Sequence, residues 1–249
     1  MQLDILGSSG TYPMPDRPAS GYLVSNLSTH ILCDIGFGVF GELVRRMSPD
    51  RLDAVVLSHR HPDHCADFLA LHHALAYGPL SATGIPVYTA PGVADRIADF
   101  LGAGEGHVLF ETFDFHEVGA ENHVTVGSID LRFAVTAHSV PTVATRLEAG
   151  DRSLVYSADT GPGGGFPGLC RGASVVMAEA SMPGERDDHQ FAHHLTATEA
   201  GEIAADAGAE MLILTHLRPS LDSARSVAAA RQVFAGRVAA ASPGDVYQI

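Results

Sequence analysis

Residues 54–64 constrain this chain more than any other stretch. Ala54-Val55-Val56-Leu57 is an aliphatic run too short for a stable helix and suited to a strand buried on both faces. Such a strand needs a layer on either side of its sheet, which points to a layered α/β architecture. The run leads almost directly into His59-Arg60-His61-Pro62-Asp63-His64, where four imidazole or carboxylate donors fall within six residues. In an extended turn, residues two apart project to the same side, so His59 and His61 can meet one ion. Pro62 then redirects the chain, and Asp63 and His64 can face a second. Borderline divalent metals favour imidazole nitrogen and carboxylate oxygen.

The rest of the chain keeps a related rhythm. Short apolar runs bounded by turn residues predict strands at 3–6, 22–24, 30–33, 87–89, 111–118, 123–126, 128–136, 142–148, 153–157, 175–178, 211–214, 238–240 and 245–248. Helical spacing marks 38–47, 66–77, 93–101, 196–207 and 223–234. Gly150-Asp151 between two strand-like runs is a hairpin signal. Strands in succession, then strand–helix pairs, then the same again predict two mixed sheets packed between helices, as one domain over residues 1–249.

Composition excludes several classes. With 249 residues and 46% apolar content the chain buries enough surface to fold without staples and is not disordered. No apolar run approaches the ~18 residues of a membrane span. The first residues carry Asp4 inside an apolar stretch and no basic region, so they read as a strand, not a signal peptide. Cys33, Cys65 and Cys170 are odd in number and scattered, which favours a reducing, cytoplasmic setting over a disulfide framework. A net charge of −14 argues against a long nucleic acid partner, which needs a basic surface.

The pattern H-x-H-x-D-H after a buried strand resembles the signature of the metallo-β-lactamase superfamily, whose fold is an αββα four-layer sandwich. The resemblance covers nearly the whole chain, because later motifs recur in order. His138, after the run 128–136, resembles the third-motif ligand. Asp159, in Ser157-Ala158-Asp159-Thr160, resembles the carboxylate that bridges both metals, and His216, after 211–214, the last ligand. Asp34 is similar to the early aspartate that supports the metal loop. The resemblance implies His59, His61 and His138 on one ion and Asp63, His64 and His216 on another, with Asp159 and a hydroxide between them. It implies two divalent ions, zinc first with manganese or iron as the other choices, roughly 3.5–4 Å apart. Asp63 is then both a ligand and a candidate catalytic carboxylate.

The stretch His193-His194-Leu195-Thr196-Ala197 resembles the H-[SL]-T-A context of the ribonuclease Z-like phosphodiesterase branch, with His194 as the matching residue. Its implied catalytic role is to contact a nonbridging phosphate oxygen or to protonate the departing alkoxide. His193 is one residue off the motif and reads as structural or solvated. Glu179 has two readings, as the group that orients His194 or as an ordinary strand-end carboxylate. Only 20 residues separate His138 from Asp159, which leaves no room for the long arm of full tRNA-processing enzymes. The expected substrate is therefore a small-molecule phosphodiester, and the segment 138–142 resembles smaller cyclic-nucleotide phosphodiesterase-like members. The alternatives are a lactonase or β-lactamase-like hydrolase of cyclic esters or amides on the same scaffold, and a noncatalytic metal-binding protein. Relatives in this branch are often dimers, so a homodimer stays open.

Other features invite a role and are not given one. Residues 160–165 are glycine-rich but lack the Lys-Ser/Thr of a phosphate loop, and read as a flexible loop beside Asp159. Cys65 reads as a small buried hydrophobe. His72 and His73 are assigned to packing or solvation. His30, His107, His116, His123 and His189 read as surface or satisfied histidines; Arg17 and Arg60 read as solvated cations, with contact to a phosphate as the other reading, and Arg146 is left undecided between the two.

Overall fold

A computed structural model describes residues 1–182 and 192–249, and His189 lies outside them. Strands β1 (Gln2–Gly7), β2 (Gly21–Asn26), β3 (Thr29–Ile35), β4 (Ala54–Leu57), β5 (Ile85–Thr89) and β6 (Phe113–Glu117) run side by side in sequence order. A second sheet is built from β7 (His123–Val126), β8 (Ile129–Val135), β9 (Val143–Ala149), β10 (Arg152–Tyr156), β11 (Val175–Glu179), β12 (Met211–Thr215) and β13 (Arg237–Ala240). The chain then returns to the first sheet, where β14 (Val246–Gln248) pairs antiparallel with β1. Each sheet begins as an antiparallel meander and ends as parallel strands, from β3 onward in the first and from β10 onward in the second. Parallel neighbours need crossovers, and helices supply most of them.

The helices are α1 (Val39–Arg46), α2 (Pro62–Cys65), α3 (Phe68–Tyr77), α4 (Val93–Leu101), α5 (Leu109–Thr112), α6 (Phe166–Leu169), α7 (Ala197–Asp206) and α8 (Ser223–Ala230). Two mixed sheets flanked by helices make the expected four-layer sandwich. Among the described residues no helix is long and apolar enough to cross a membrane.

The strict two-residue period of a strand explains the layers. In β12, Met211 and Ile213 join the core shared by the two sheets, whereas Leu212 and Leu214 join a separate core with Ala200 and Ala204 of α7 and Ala230 of α8. β11 divides the same way, with Val175 and Met177 against Val176 and Ala178. Both faces are buried, so these strands read as unbroken apolar runs. On the other side, Val39 and Leu43 of α1, Phe68 and Leu71 of α3, and Val93 and Ile97 of α4 pack into the cluster that contains the first sheet. Tyr22 ties the halves together, its hydroxyl 2.7 Å from Thr215 Oγ1 and its ring 4.8 Å from that of Tyr156.

Three expected elements differ in detail. The strand expected at 111–118 is preceded by a helical turn, because Leu109–Thr112 closes on itself before Phe113 extends. The helix expected at 66–77 begins at Phe68 as α3, and α2 is a separate helical turn over Pro62–Cys65; between them the Asp67 backbone N–H donates to Ile35 O and its carboxylate accepts from Phe40 N in the first turn of α1. The helix expected to run to 234 ends at Ala230, and a turn with tighter bonds follows. The Gly150-Asp151 hairpin joins β9 to β10 as expected, with Gly150 in the left-handed region.

Candidate active site

The predicted donors all follow the C-terminal ends of strands. His59 and His61 lie beyond β4 and Asp63 and His64 in α2; His138 follows β8, Asp159 follows β10, and His216 comes directly after β12. Sharp changes of direction bring them together. Among the described residues, four of the five non-glycine residues with positive φ stand here: Thr11 at 70°, Asp34 at 58°, Ala158 at 51° and His216 at 52°. Each such backbone costs of order 1–3 kcal/mol and persists only where the surroundings over-determine it.

The donors form two groups. His59 Nε2 is 3.0 Å from His61 Nδ1, His138 Nε2 is 3.2 Å from His61 Nδ1, and Asp159 Oδ2 is 3.7 Å from the Nε2 atoms of both His59 and His138. In the second group Asp63 Oδ2 is 3.2 Å from His216 Nε2 and 3.8 Å from His64 Nε2. Asp159 Oδ1 lies 3.2 Å from His64 Nε2 and 3.4 Å from His216 Nε2. Ligands about 2.0–2.2 Å from a tetrahedral centre lie about 3.3–3.6 Å apart, so both groups have the dimensions of a coordination shell. His64 Nε2 and Asp159 Oδ1 are buried and, although 3.2 Å apart, neither makes a well-aligned hydrogen bond with the other or with any other described residue. Buried polar atoms left this way need a partner, and a cation between the donors supplies it. The residues fit divalent metal.

Residues 29–217 match the family described as a beta-lactamase superfamily domain. This chain belongs to the metallo-β-lactamase superfamily. Uncharacterized protein Rv1339 of Mycobacterium tuberculosis is 33% identical, with 100% of this chain and 92% of that protein covered. The probable metallo-hydrolase YhfI of Bacillus subtilis is 32% identical over the full length of both chains. The crystal structure of YhfI covers 99% of this chain and 98% of its own, with a TM-score of 0.88. Ribonuclease Z of Methanopyrus kandleri is 28% identical, covering 92% of this chain and 91% of its own. The chain is thus a metallo-hydrolase of the superfamily, with a His/Asp cluster built for divalent metal.

In this metallo-β-lactamase-fold chain every anchored imidazole uses its second nitrogen. His64 Nδ1 donates to Asp34 Oδ2 at 2.7 Å, His59 Nδ1 meets Ser58 Oγ at 3.0 Å, His138 Nδ1 donates to His193 O at 3.1 Å, and His216 Nδ1 meets Ser181 Oγ at 2.7 Å. Such partners fix ring orientation and the nitrogen that faces the metal. Asp63 Oδ2 accepts the Thr11 N–H at 2.8 Å. Glu179, fully buried, orients His194: its Oε1 accepts from His194 Nδ1 and Thr160 N, each at 2.8 Å, and its Oε2 from Ser181 N at 3.2 Å. The orienting reading of Glu179 therefore describes its position. The backbone helps too, because Leu195 is buried and Thr196 opens α7 in a capping box with Glu199.

Electrostatics sort the site. Burial holds the pKa values of His59, His61 and His138 below the ordinary imidazole range, which keeps their lone pairs available to metal. Burial also acts on His64, but Asp159, Asp34 and Asp63 outweigh it and hold it well above that range. Burial of Asp63 and Asp159 is outweighed by His64 and His216, and both carboxylates sit well below their usual range. For His194, burial is outweighed by the hydrogen bond and charge of Glu179, and its pKa is raised.

Several residues escaped sequence reasoning. Ser58, Tyr156 and Ser181 belong to no motif, and only the adjacency of Ser58 to His59 hinted at a role. Arg17, expected to be solvated, is half-buried and donates from Nη2 to Leu217 O at 2.9 Å, pinning residues 8–17 against the His216 loop. Gly10 permits that contact, since a Cβ there would lie 2.6 Å from His216 O. The glycines at 161–165 are not a free loop: Gly161 N donates to Ala137 O and Gly165 N to Val135 O. His193 is exposed; its carbonyl oxygen accepts from His138 Nδ1, and its ring lies edge-on to that of His138 with centroids 6.0 Å apart. Cys65 is buried, and burial pushes its thiol up to about 12, consistent with an inert hydrophobe. A cavity of about 440 Å³, lined by Thr11, Tyr12, His194, Arg218 and Ser220, opens beside the cluster.

Proposed function

We propose that this chain is a dinuclear metal-dependent phosphodiesterase of small phosphodiesters, cyclic nucleotides among them. His59, His61 and His138 would hold one ion and Asp63, His64 and His216 the other, with one oxygen of Asp159 turned to each group. Zinc is the first choice for imidazole-rich tetrahedral sites of this size. When bound, the ions supply an activated water and positive charge against the developing anion.

The observation that carries the reading is the seating of His194. Its ring centroid lies 5.3 Å from that of His138 and 5.9 Å from that of His216, beside both donor groups. Nδ1 donates to buried Glu179, and the raised pKa favours a second proton, which an imidazolium carries on Nε2. A proton at that atom suits a departing alkoxide or a nonbridging phosphate oxygen. The reading treats residues 1–249 as one hydrolase unit, supported by the core to which both sheets contribute. A cytoplasmic setting belongs to the same proposal, since all three cysteines are buried and unpaired.

The test is elemental analysis of purified protein, then a panel of bis(p-nitrophenyl) phosphate, cyclic AMP, lactones and β-lactams. The expected result is close to two equivalents of metal and turnover of diesters. His194→Ala should lower diester turnover by roughly 10²- to 10⁴-fold with metal retained. Turnover of lactones or β-lactams alone, indifferent to His194→Ala, would reverse the assignment in favour of the acyl hydrolase.

A further inference from the structure

Two buried tyrosines cross between the sheets one link behind the donors, in opposite directions. Tyr156 ends β10 of the second sheet, and its hydroxyl donates at 2.7 Å to Asp34 Oδ2 on β3 of the first. Tyr22, on β2 of the first sheet, meets Thr215 Oγ1 at 2.7 Å, where Thr215 ends β12 of the second. Between these two ties the rings lie 4.8 Å apart, tilted by 57°. Both side chains are almost wholly excluded from solvent. Buried phenylalanines would fill the same space without hydroxyls that have to be satisfied, so packing alone does not call for two phenols.

Each tie ends beside a histidine of the same donor group. Asp34 Oδ2 also accepts His64 Nδ1 at 2.7 Å, and among the described residues His64 is the one ring of the two groups whose second nitrogen meets a carboxylate. Thr215 is followed at once by His216, whose backbone is held at a φ of 52°. The first group is anchored differently, His138 by the His193 carbonyl and His59 by Ser58 Oγ. Ser58 also bonds Asp34, but through two contacts of its own, N–H to Oδ1 and Oγ to Oδ2, each at 2.8 Å. His59 is therefore one link farther from Tyr156 than His64 is.

We propose that Tyr156 and Tyr22 are positioning residues for the second ion, crossing between the sheets to hold His64 and His216 at coordination distance. The inference rests on the dinuclear reading of the donors and is independent of which bond is hydrolysed. Without the Tyr156 hydroxyl, Asp34 keeps its Ser58 and His64 donors, so the carboxylate stays satisfied while its brace to the second sheet is gone.

The test is titration of the full-length, chelator-treated protein with cobalt(II), followed by the visible absorption of the metal and by calorimetry. Reference titrations of His138→Ala and His216→Ala assign the two equivalents to their groups. Tyr156→Phe should weaken the second-group ion by about 10- to 100-fold, as loss of a partner behind a metal-bound histidine does, and shift its absorption bands. Tyr22→Phe removes one hydrogen bond a residue away from the ligand and should weaken the same ion by about 3- to 10-fold. The first-group ion should change by less than about twofold in both variants, since its histidines keep their own partners. Val176→Ala opens a cavity in the separate core against α7 and α8; it controls for lost stability and should move neither equivalent. Equal weakening of both ions by Tyr156→Phe, or a second-group ion that either phenylalanine variant leaves unchanged, overturns the positioning role. An unmodified chain that binds no cobalt overturns the dinuclear reading and the positioning role together. The expected responses in a protein that turns over no diester support the positioning role and overturn the phosphodiesterase reading alone.

Discussion

Replacing Asp34 with asparagine should damage stability and metal retention together. Asp34 is fully buried. Its Oδ1 accepts Ser58 N at 2.8 Å, while Oδ2 accepts Ser58 Oγ at 2.8 Å, His64 Nδ1 at 2.7 Å and Tyr156 OH at 2.7 Å. An amide cannot serve all four. With its oxygen in the Oδ2 position, its NH₂ faces the Ser58 N–H, donor against donor; turned over, it faces three donors at once. The cheaper orientation still loses a hydrogen bond to a charged acceptor, worth about 1.5–3 kcal/mol, and strands a buried donor. A total near 3 kcal/mol is a reasonable expectation. For a chain of 249 residues the unfolding entropy is about 0.5 kcal/mol/K, so the midpoint should fall by about 6 °C. Metal affinity should fall by about 10- to 100-fold, because His64 loses the group that sets its orientation. Calorimetric melts of chelator-treated Asp34→Asn and parent proteins, with elemental analysis after dialysis, measure both. A variant that melts within about 2 °C of the parent and keeps its metal would refute the reasoning.

Two further substitutions probe separate features. A Cβ at Gly36 would lie 1.9 Å from the Asp63 carbonyl oxygen, so Gly36→Ala must displace α2; the variant should fold with strand content intact yet retain less than about a tenth of the parent's metal affinity by competitive titration, and unchanged affinity would count against the close approach. His72 is buried with neither ring nitrogen hydrogen-bonded among the described residues, and burial, followed by His73 and His107, lowers its pKa. As pH falls through about 6.5 the unfolded chain takes up a proton that the folded chain resists, so the stability contributed by the neutral ring is present above that pH and lost below it. His72→Phe should therefore gain stability relative to the parent between pH 7 and pH 5 in urea titrations; parallel pH profiles would contradict this.

The donor set was legible because each donor follows an apolar run that can only be a strand, and because His59, His61, Asp63 and His64 are neighbours in sequence. The layering was legible for the same reason: β4 and the first four residues of β11 and β12 are apolar at consecutive positions because both faces are covered. What supports the donors was less so. Tyr156 reaches Asp34 from 122 positions away, across the gap between sheets, and nothing periodic in the sequence marks that pairing. Ser181 and Thr11 act through one hydroxyl and one backbone N–H, groups any serine or almost any residue carries. Glu179 was ambiguous because a carboxylate ending an apolar strand has the same pattern whether or not a histidine comes to meet it. The turn at Leu109–Thr112 was missed because four residues are too few to show a helical period.

Asp34, Ala158 and His216 bend three strand ends through backbone angles that side chains avoid, and no glycine relieves them. Together they hold several kcal/mol that the surrounding sheets must restrain. All three are buried, so these corners are released only when the sheets that restrain them open. In denaturant the site's geometry should therefore be lost together with the sheets, and the strain unloads only when the sandwich itself gives way.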